Sequence, residues 1–192
     1  MWPDRPDWLP GARLNFPLAR LREIGSVVES SRYLARQMAQ EVDFKQPGLI
    51  VELGPGQGAI THELFKQVSN RKQLLLIEVG GELIAELKRQ FRGVSVVHDS
   101  AEWLVKHIRG RRVAAVVSSL PLRSLPDKVV HRIGVALRQV MDPQTQYIQF
   151  TYDLRPAKTA YFSGVSMEKQ HSKIVWRNIP PARVDTFRLA EE

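Results

Sequence analysis

The segment Val51-Glu-Leu-Gly-Pro-Gly-Gln-Gly58 constrains this chain more than any other. An apolar run, Leu49 to Leu53, enters a turn with glycines at 54, 56 and 58. A helical pattern with Ile60, Leu64, Phe65 and Val68 on one face follows it. Glycines in a strand–turn–helix allow tight backbone angles and let a ligand lie against the main chain, while the helix start offers free N–H groups. Such a turn needs a sheet behind it, and the sequence supplies one. Gln73 to Glu78, Val94 to His98, Val113 to Ser118 and Thr145 to Thr151 read as further strands. Between them lie helical patterns carrying Leu83, Ile84, Leu87 and Phe91, then Trp103, Leu104 and Ile108, then Val129 to Val140. This alternation predicts a parallel sheet with helices on both faces. After Tyr152 the rhythm changes: Lys173 to Arg177 and Arg183 to Leu189 read as strands joined by Asn178-Ile-Pro-Pro181, an antiparallel hairpin.

Ahead of the first strand, a helix is expected from the Ser30-Ser31 cap through Tyr33, Leu34 and Met38 to about Val42. Residues 1–25 read as a Pro-rich extension and 26–192 as the domain. Within the extension Leu14, Leu18 and Leu21 recur at helical spacing among Arg13, Arg20 and Arg22, the pattern of a short basic amphipathic helix. It lies on a membrane surface or packs on its own domain.

Composition removes several classes. With 192 residues and 43% apolar content, the chain supports one ordinary domain with a real core. It has no Cys, which excludes disulfides, thiolate metal sites and a Cys nucleophile, and suits a reducing cytoplasm. No run approaches the ~18 apolar residues of a spanning helix, and the N-terminus lacks the layout of a secretory signal. Between Lys88 and Arg138, eleven Lys and Arg stand against three acids, so the whole net charge of +8 resides there. That imbalance points to a polyanionic partner, either an anionic membrane surface or nucleic acid. No His/Asp/Glu cluster has metal-ligand spacing and no Ser/His/Asp set suggests acyl chemistry.

Three acids stand at or next to the strand ends. Glu52 precedes the first glycine, where a pyrophosphate would be repelled but a cationic sulfonium with an α-amino group would not. Glu78 ends the second strand, placed to accept both hydroxyls of a ribose. Asp99, in His98-Asp-Ser-Ala101, follows the third, placed to meet an adenine edge. With the terminal hairpin, Glu52-Leu-Gly-Pro-Gly-Gln-Gly58 resembles the first motif of the class I S-adenosylmethionine-dependent methyltransferases. The resemblance covers roughly residues 25–190. It implies a Rossmann-like α/β fold with a seven-stranded, mostly parallel sheet of order 3-2-1-4-5-7-6 and a C-terminal antiparallel hairpin. It also implies S-adenosyl-L-methionine as cofactor, S-adenosyl-L-homocysteine as product, and no metal. The cofactor would lie against Ser31, Glu52, Gly54, Gly56, Gly58, Glu78, Val79, Asp99, Ser100, Ala101 and Ser119.

The acceptor is read from the loop after the fourth strand, Ser118-Ser-Leu-Pro-Leu-Arg-Ser-Leu-Pro126. Methyltransferases of nucleic-acid amines carry there an amide or acid, then an aromatic that stacks the base; Ser119 and Leu122 supply neither. The Ser-Ser helix start, Leu120 to Pro126, Gln149-Phe-Thr-Tyr152 and Val175 to Val184 together resemble the bacterial phospholipid N-methyltransferases. That resemblance implies methylation of phosphatidylethanolamine towards phosphatidylcholine by an enzyme held peripherally on the inner face of the membrane. RNA is the alternative substrate, and a non-catalytic cofactor-binding adaptor the alternative class. Within the phospholipid reading, Ser119 and Tyr152 are the catalytic candidates, and Leu120, Arg123 and Tyr152 contact substrate. Ser119 orients the amine, Tyr152 faces the methylated ammonium by cation–π contact or serves as a core aromatic, and Arg123 holds the lipid phosphate.

Overall fold

The computed structural model describes residues 31–155 and 161–190, and the expected amphipathic helix at 14–21 lies outside them. Seven strands form one sheet: β1 (Leu49–Leu53), β2 (Leu74–Glu78), β3 (Ser95–His98), β4 (Val113–Ser118), β5 (Gln146–Thr151), β6 (Met167–Val175) and β7 (Ala182–Leu189). Their order is β3-β2-β1-β4-β5-β7-β6, with β7 antiparallel to both neighbours and all other pairings parallel. The expected topology is therefore the observed one. Among the described residues, five α-helices cover the sheet: α1 (Arg32–Gln40), α2 (Ala59–Gln67), α3 (Gly81–Gln90), α4 (Leu104–Ile108) and α5 (Asp127–Val140).

The apolar runs become central strands because a parallel strand is covered on both faces. Every residue of β1, β2 and β4 is buried. Alternate side chains then divide between two layers. Val51, Leu53, Val116 and Tyr147 pack under α4 and α5 with Leu104, Ile133 and Leu137. Ile50, Ala115, Val117 and Ile148 pack under α1 and α2 with Leu34, Met38, Ile60 and Leu64. Ser31 caps α1, its side chain accepting from the Leu34 N–H at 3.3 Å, and the helix stops at Gln40, two residues before the expected end.

β6 departs further from expectation. It begins at Met167 rather than Lys173 and ends at Val175, so Trp176 and Arg177 belong to the turn. It pairs with the full length of β7, from Met167 opposite Leu189 to Val175 opposite Ala182. As an edge strand it is mostly exposed, so its first half, Met-Glu-Lys-Gln-His-Ser, needs no apolar alternation and left none to read.

Candidate active site

The first strand delivers its loop to the carboxyl end of the sheet, where open α/β sheets bind ligands. Gly54 N–H donates to the Ile77 carbonyl at 2.9 Å, so the loop leaves β1 tied to β2. Gly56 has φ 57°, and a Cβ built there would meet nothing within 4 Å. The main chain is thus bare on that side, as a cradle for a ligand requires. Gly58, the N-cap of α2, has φ 87°, and a Cβ there would lie 2.5 Å from the Phe91 ring.

Beneath this loop Glu52 is fully buried. One carboxyl oxygen, Oε2, accepts from the Thr61 hydroxyl at 2.7 Å. The other, Oε1, has no partner among the described residues. Burial, reinforced by the nearby Glu78 charge, pushes this carboxyl from its ordinary 4.5 up to about 8. A cation beside it reverses that shift. The half-satisfied acid and the bare glycine backbone above it therefore fit the amino-bearing, positively charged end of S-adenosylmethionine.

Glu78 braces the loop: Oε2 accepts from Gly56 N–H at 2.9 Å and Oε1 from Gly80 N–H at 2.8 Å. Each carboxylate oxygen retains a lone pair for a hydroxyl. Val79 beside it is 64% exposed, an apolar face open to a planar ring. The Asp99 N–H donates to the Glu78 carbonyl at 3.0 Å, bringing the third strand's loop alongside. Asp99 accepts from Ser100 N–H at 2.7 Å and from His107 Nε2–H at 2.8 Å. His107 chiefly holds the Asp99 carboxyl below its ordinary range. Ser100 caps the turn that follows and Ala101 is buried within it. The loop after β4 closes the group, its Ser119 N–H donating to the Leu53 carbonyl at 2.9 Å. A Cβ on Gly54 would come 2.9 Å from the Leu120 side chain. Gln149, itself held by the Tyr147 hydroxyl at 2.8 Å, donates to the Leu120 carbonyl at 3.1 Å.

Glu52, the glycine loop, Glu78, Val79, Asp99, Ser119 and Leu120 thus share one end of four adjacent strands. Three other expected residues stand differently. Ser31 and Tyr152 meet through a residue read from sequence only as part of the hairpin turn, the fully buried Asn178. Its Oδ1 accepts from Ser31 N–H at 3.1 Å, its Nδ2 donates to the Pro180 carbonyl at 2.7 Å, and the Tyr152 hydroxyl is hydrogen-bonded to it. Tyr152 also packs edge-on to Phe150 at 5.5 Å. Arg123 is ion-paired with Asp153 at 2.7 Å, a carboxylate that Arg155 also grips. Leu122 is buried in the core rather than turned to the site. Thr61, His107 and Asp153 went unread, and Gln149 and Asn178 were read only as parts of longer motifs; Thr61 and His107 act across nine and eight positions, the others across far longer separations.

Residues 22–108 match the family model described as ribosomal RNA adenine dimethylase. Among curated proteins, an ornithine lipid N-methyltransferase of Singulisphaera acidiphila is 25% identical over 134 residues, 67% of this chain and 70% of that protein. A ribosomal RNA small subunit methyltransferase A of a Hydrogenobaculum species is also 25% identical, over 54% of this chain and 40% of that protein. Among solved structures, a 1,6-didemethyltoxoflavin-N1-methyltransferase of Burkholderia thailandensis, with S-adenosylhomocysteine bound, superposes with TM-score 0.62 at 11% identity, covering 90% and 85% of the two chains. TrmN of Thermus thermophilus gives 0.61 at 14% identity, covering 82% of this chain and 48% of that one. Sheet order, glycine loop and acid set define a class I S-adenosylmethionine-dependent methyltransferase, similar in its first half to the ribosomal RNA adenine dimethylases.

Proposed function

We propose that the chain methylates the amino group of phosphatidylethanolamine and its methylated intermediates, towards phosphatidylcholine, at an anionic membrane surface. The observation that carries this reading is Leu122, buried in the core where a base-stacking aromatic would be needed. The ornithine lipid N-methyltransferase relative, matched over two thirds of both chains, supports it.

S-adenosylmethionine, when bound, supplies a methyl made electrophilic by its sulfonium. The residues here bind and orient. Glu52 offers a buried anion to the cofactor's positive end, the loop at Gly56 gives it a bare backbone, and Glu78 and Asp99 hold its ribose and adenine. The amine must arrive neutral, with its lone pair in line, so positioning supplies most of the rate. Ser119 and the Leu120 carbonyl border its place, and Tyr152 offers a π face that grows more favourable as the nitrogen becomes a quaternary cation. Arg123 shares its guanidinium between Asp153 and the lipid phosphate; five donors allow both. The nitrogen would take the methyl as the S–CH3 bond breaks, with S-adenosylhomocysteine leaving as a neutral thioether; the first two products would lose a proton to water, and the third, having none, would remain a quaternary cation.

A second reading, methylation of an RNA amine, is favoured by the family model over residues 22–108 and by the basic stretch from Lys88 to Arg138. The test is transfer of labelled methyl with phosphatidylethanolamine vesicles and ribosomal RNA offered in parallel. Label in the lipid phase, lost in Glu52→Ala, supports the lipid reading. Label in RNA alone overturns it.

A further inference from the structure

The turn joining β6 to β7 leaves two large apolar side chains outside the core. Trp176 is 62% and Ile179 84% exposed, with Ile174 on β6 at 37%. Single exposed apolar residues are ordinary, but three within positions 174–179 around one hairpin tip are not. Basic side chains flank the group. Arg177 lies 5.2 Å and Arg32 5.0 Å from the Tyr33 ring centre, so two guanidinium groups sit against one aromatic on the first turn of α1. A shallow cleft of about 350 Å³, lined by Tyr33, Arg36, Ile174, Trp176 and Arg177, joins helix to turn.

The topology sets the direction of this patch. β6 runs antiparallel to β7, which runs antiparallel to β5, so β6 ends at the same end of the sheet as β1 and β4. The apolar tip therefore projects from the end that holds the glycine loop, Ser119 and Tyr152. Asn178, between Trp176 and Ile179 in the turn, is tied to both Ser31 and Tyr152. A surface that engages the tip is thus held next to the mouth of the site.

We propose that the β6–β7 turn and the first turns of α1 form an interfacial docking surface for an anionic bilayer, with Trp176 and Ile179 entering the headgroup region and Arg32, Arg36 and Arg177 facing lipid phosphates. This rests on the lipid-amine reading above and adds to it a contact outside residues 1–25. The chemistry selects the occupant. Tryptophan with guanidinium groups around an aliphatic tip matches the layered polarity of a membrane interface. Each Arg near an anionic leaflet adds attraction to it. An aliphatic side chain as exposed as Ile179 offers a polyphosphate chain nothing.

Two measurements on the full chain test it. Co-sedimentation with vesicles of phosphatidylglycerol and phosphatidylethanolamine should weaken about tenfold in Ile179→Asp, while S-adenosyl-L-homocysteine binding and thermal unfolding stay at wild-type values, showing the variant folded. In a variant keeping Trp176 alone (Trp2, Trp8 and Trp103 each replaced by Phe), emission should shift to the blue on adding those vesicles and be quenched by brominated lipid. Unchanged vesicle binding in Ile179→Asp, or Trp176 emission blind to lipid, overturns the proposal. So does a wild-type dimer that Ile179→Asp dissociates without touching vesicle binding, or a loss confined to RNA binding. The two readings fail separately. Lipid-dependent Trp176 emission with no lipid methylation keeps the surface and removes the substrate. Lipid methylation equal in wild type and Ile179→Asp keeps the substrate and removes the surface.

Discussion

At the scale of single residues, Glu52 carries the most consequence. A buried carboxyl with one free oxygen is tolerable only while it stays protonated or faces a cation. In the unfolded chain it ionises near 4.5, and in the folded chain only near 8. Its contribution to stability is thus fully present below about 4.5 and lost as pH rises through about 8. Glu52→Gln removes the titration. Ligand-free Glu52→Gln should melt close to wild type at pH 4.5 and higher than wild type at pH 8, by an amount equivalent to a few kcal/mol. It should also bind S-adenosylmethionine more weakly, because the anion is gone. Melting curves against pH check the first statement and calorimetry the second; equal melting at pH 8 would contradict it. Asn178 is the structural counterpart. Asn178→Ala leaves the Ser31 N–H, the Pro180 carbonyl and the Tyr152 hydroxyl each short of a partner, and about 1–3 kcal/mol of stability should be lost. Tyr152→Phe keeps the ring and removes only the hydroxyl. It should retain most methyl transfer if the face of the ring is what matters, whereas Tyr152→Ala should lose at least tenfold.

At the scale of elements, the glycine loop and the loop after β4 depend on each other. Gly58→Ala would put a methyl 2.5 Å from Phe91 and leave a non-glycine residue at φ 87°. A loss of about 2–4 kcal/mol in denaturant unfolding, with cofactor binding weakened further, is the expected result. Much of this element was legible beforehand. Leu49 to Leu53 and Val113 to Ser118 are apolar runs that only buried parallel strands explain, and Glu52, Glu78 and Asp99 fall at strand ends by counting. The supports were not legible. Asn178 reads as part of a Pro-rich turn, and its tie to Ser31 spans 147 positions. The Arg123–Asp153 pair crosses from the loop after β4 to the end of β5, and nothing local announces it. The early half of β6 has an exposed edge-strand sequence, which carries no periodic signal.

At the scale of the whole molecule, the excess positive charge is partly spoken for. Arg89 pairs with Glu86, Arg112 with Asp142, Arg123 with Asp153 and Arg132 with Glu102, while Lys106 lies 3.9 Å from the Trp103 ring centre. Four of the eleven basic residues between Lys88 and Arg138 are thus held in ion pairs, and the stretch keeps a net positive charge. Vesicle binding should therefore fall steeply between about 0.05 and 0.3 M salt, as the screening length shortens. Binding that ignores salt would place the driving force in the apolar tip alone. No helix among the described residues is long and apolar enough to cross a membrane.

Which amine meets the methyl donor above Glu52 is decided by the product formed. The most direct measurement is the mass spectrum of lipids extracted after the purified chain has acted on S-adenosylmethionine and vesicles holding phosphatidylethanolamine. Mono-, di- or trimethylated headgroups, formed by wild type and suppressed in Glu52→Ala, are the predicted result. Unmodified lipid alongside methylated ribosomal RNA in a parallel reaction would contradict it.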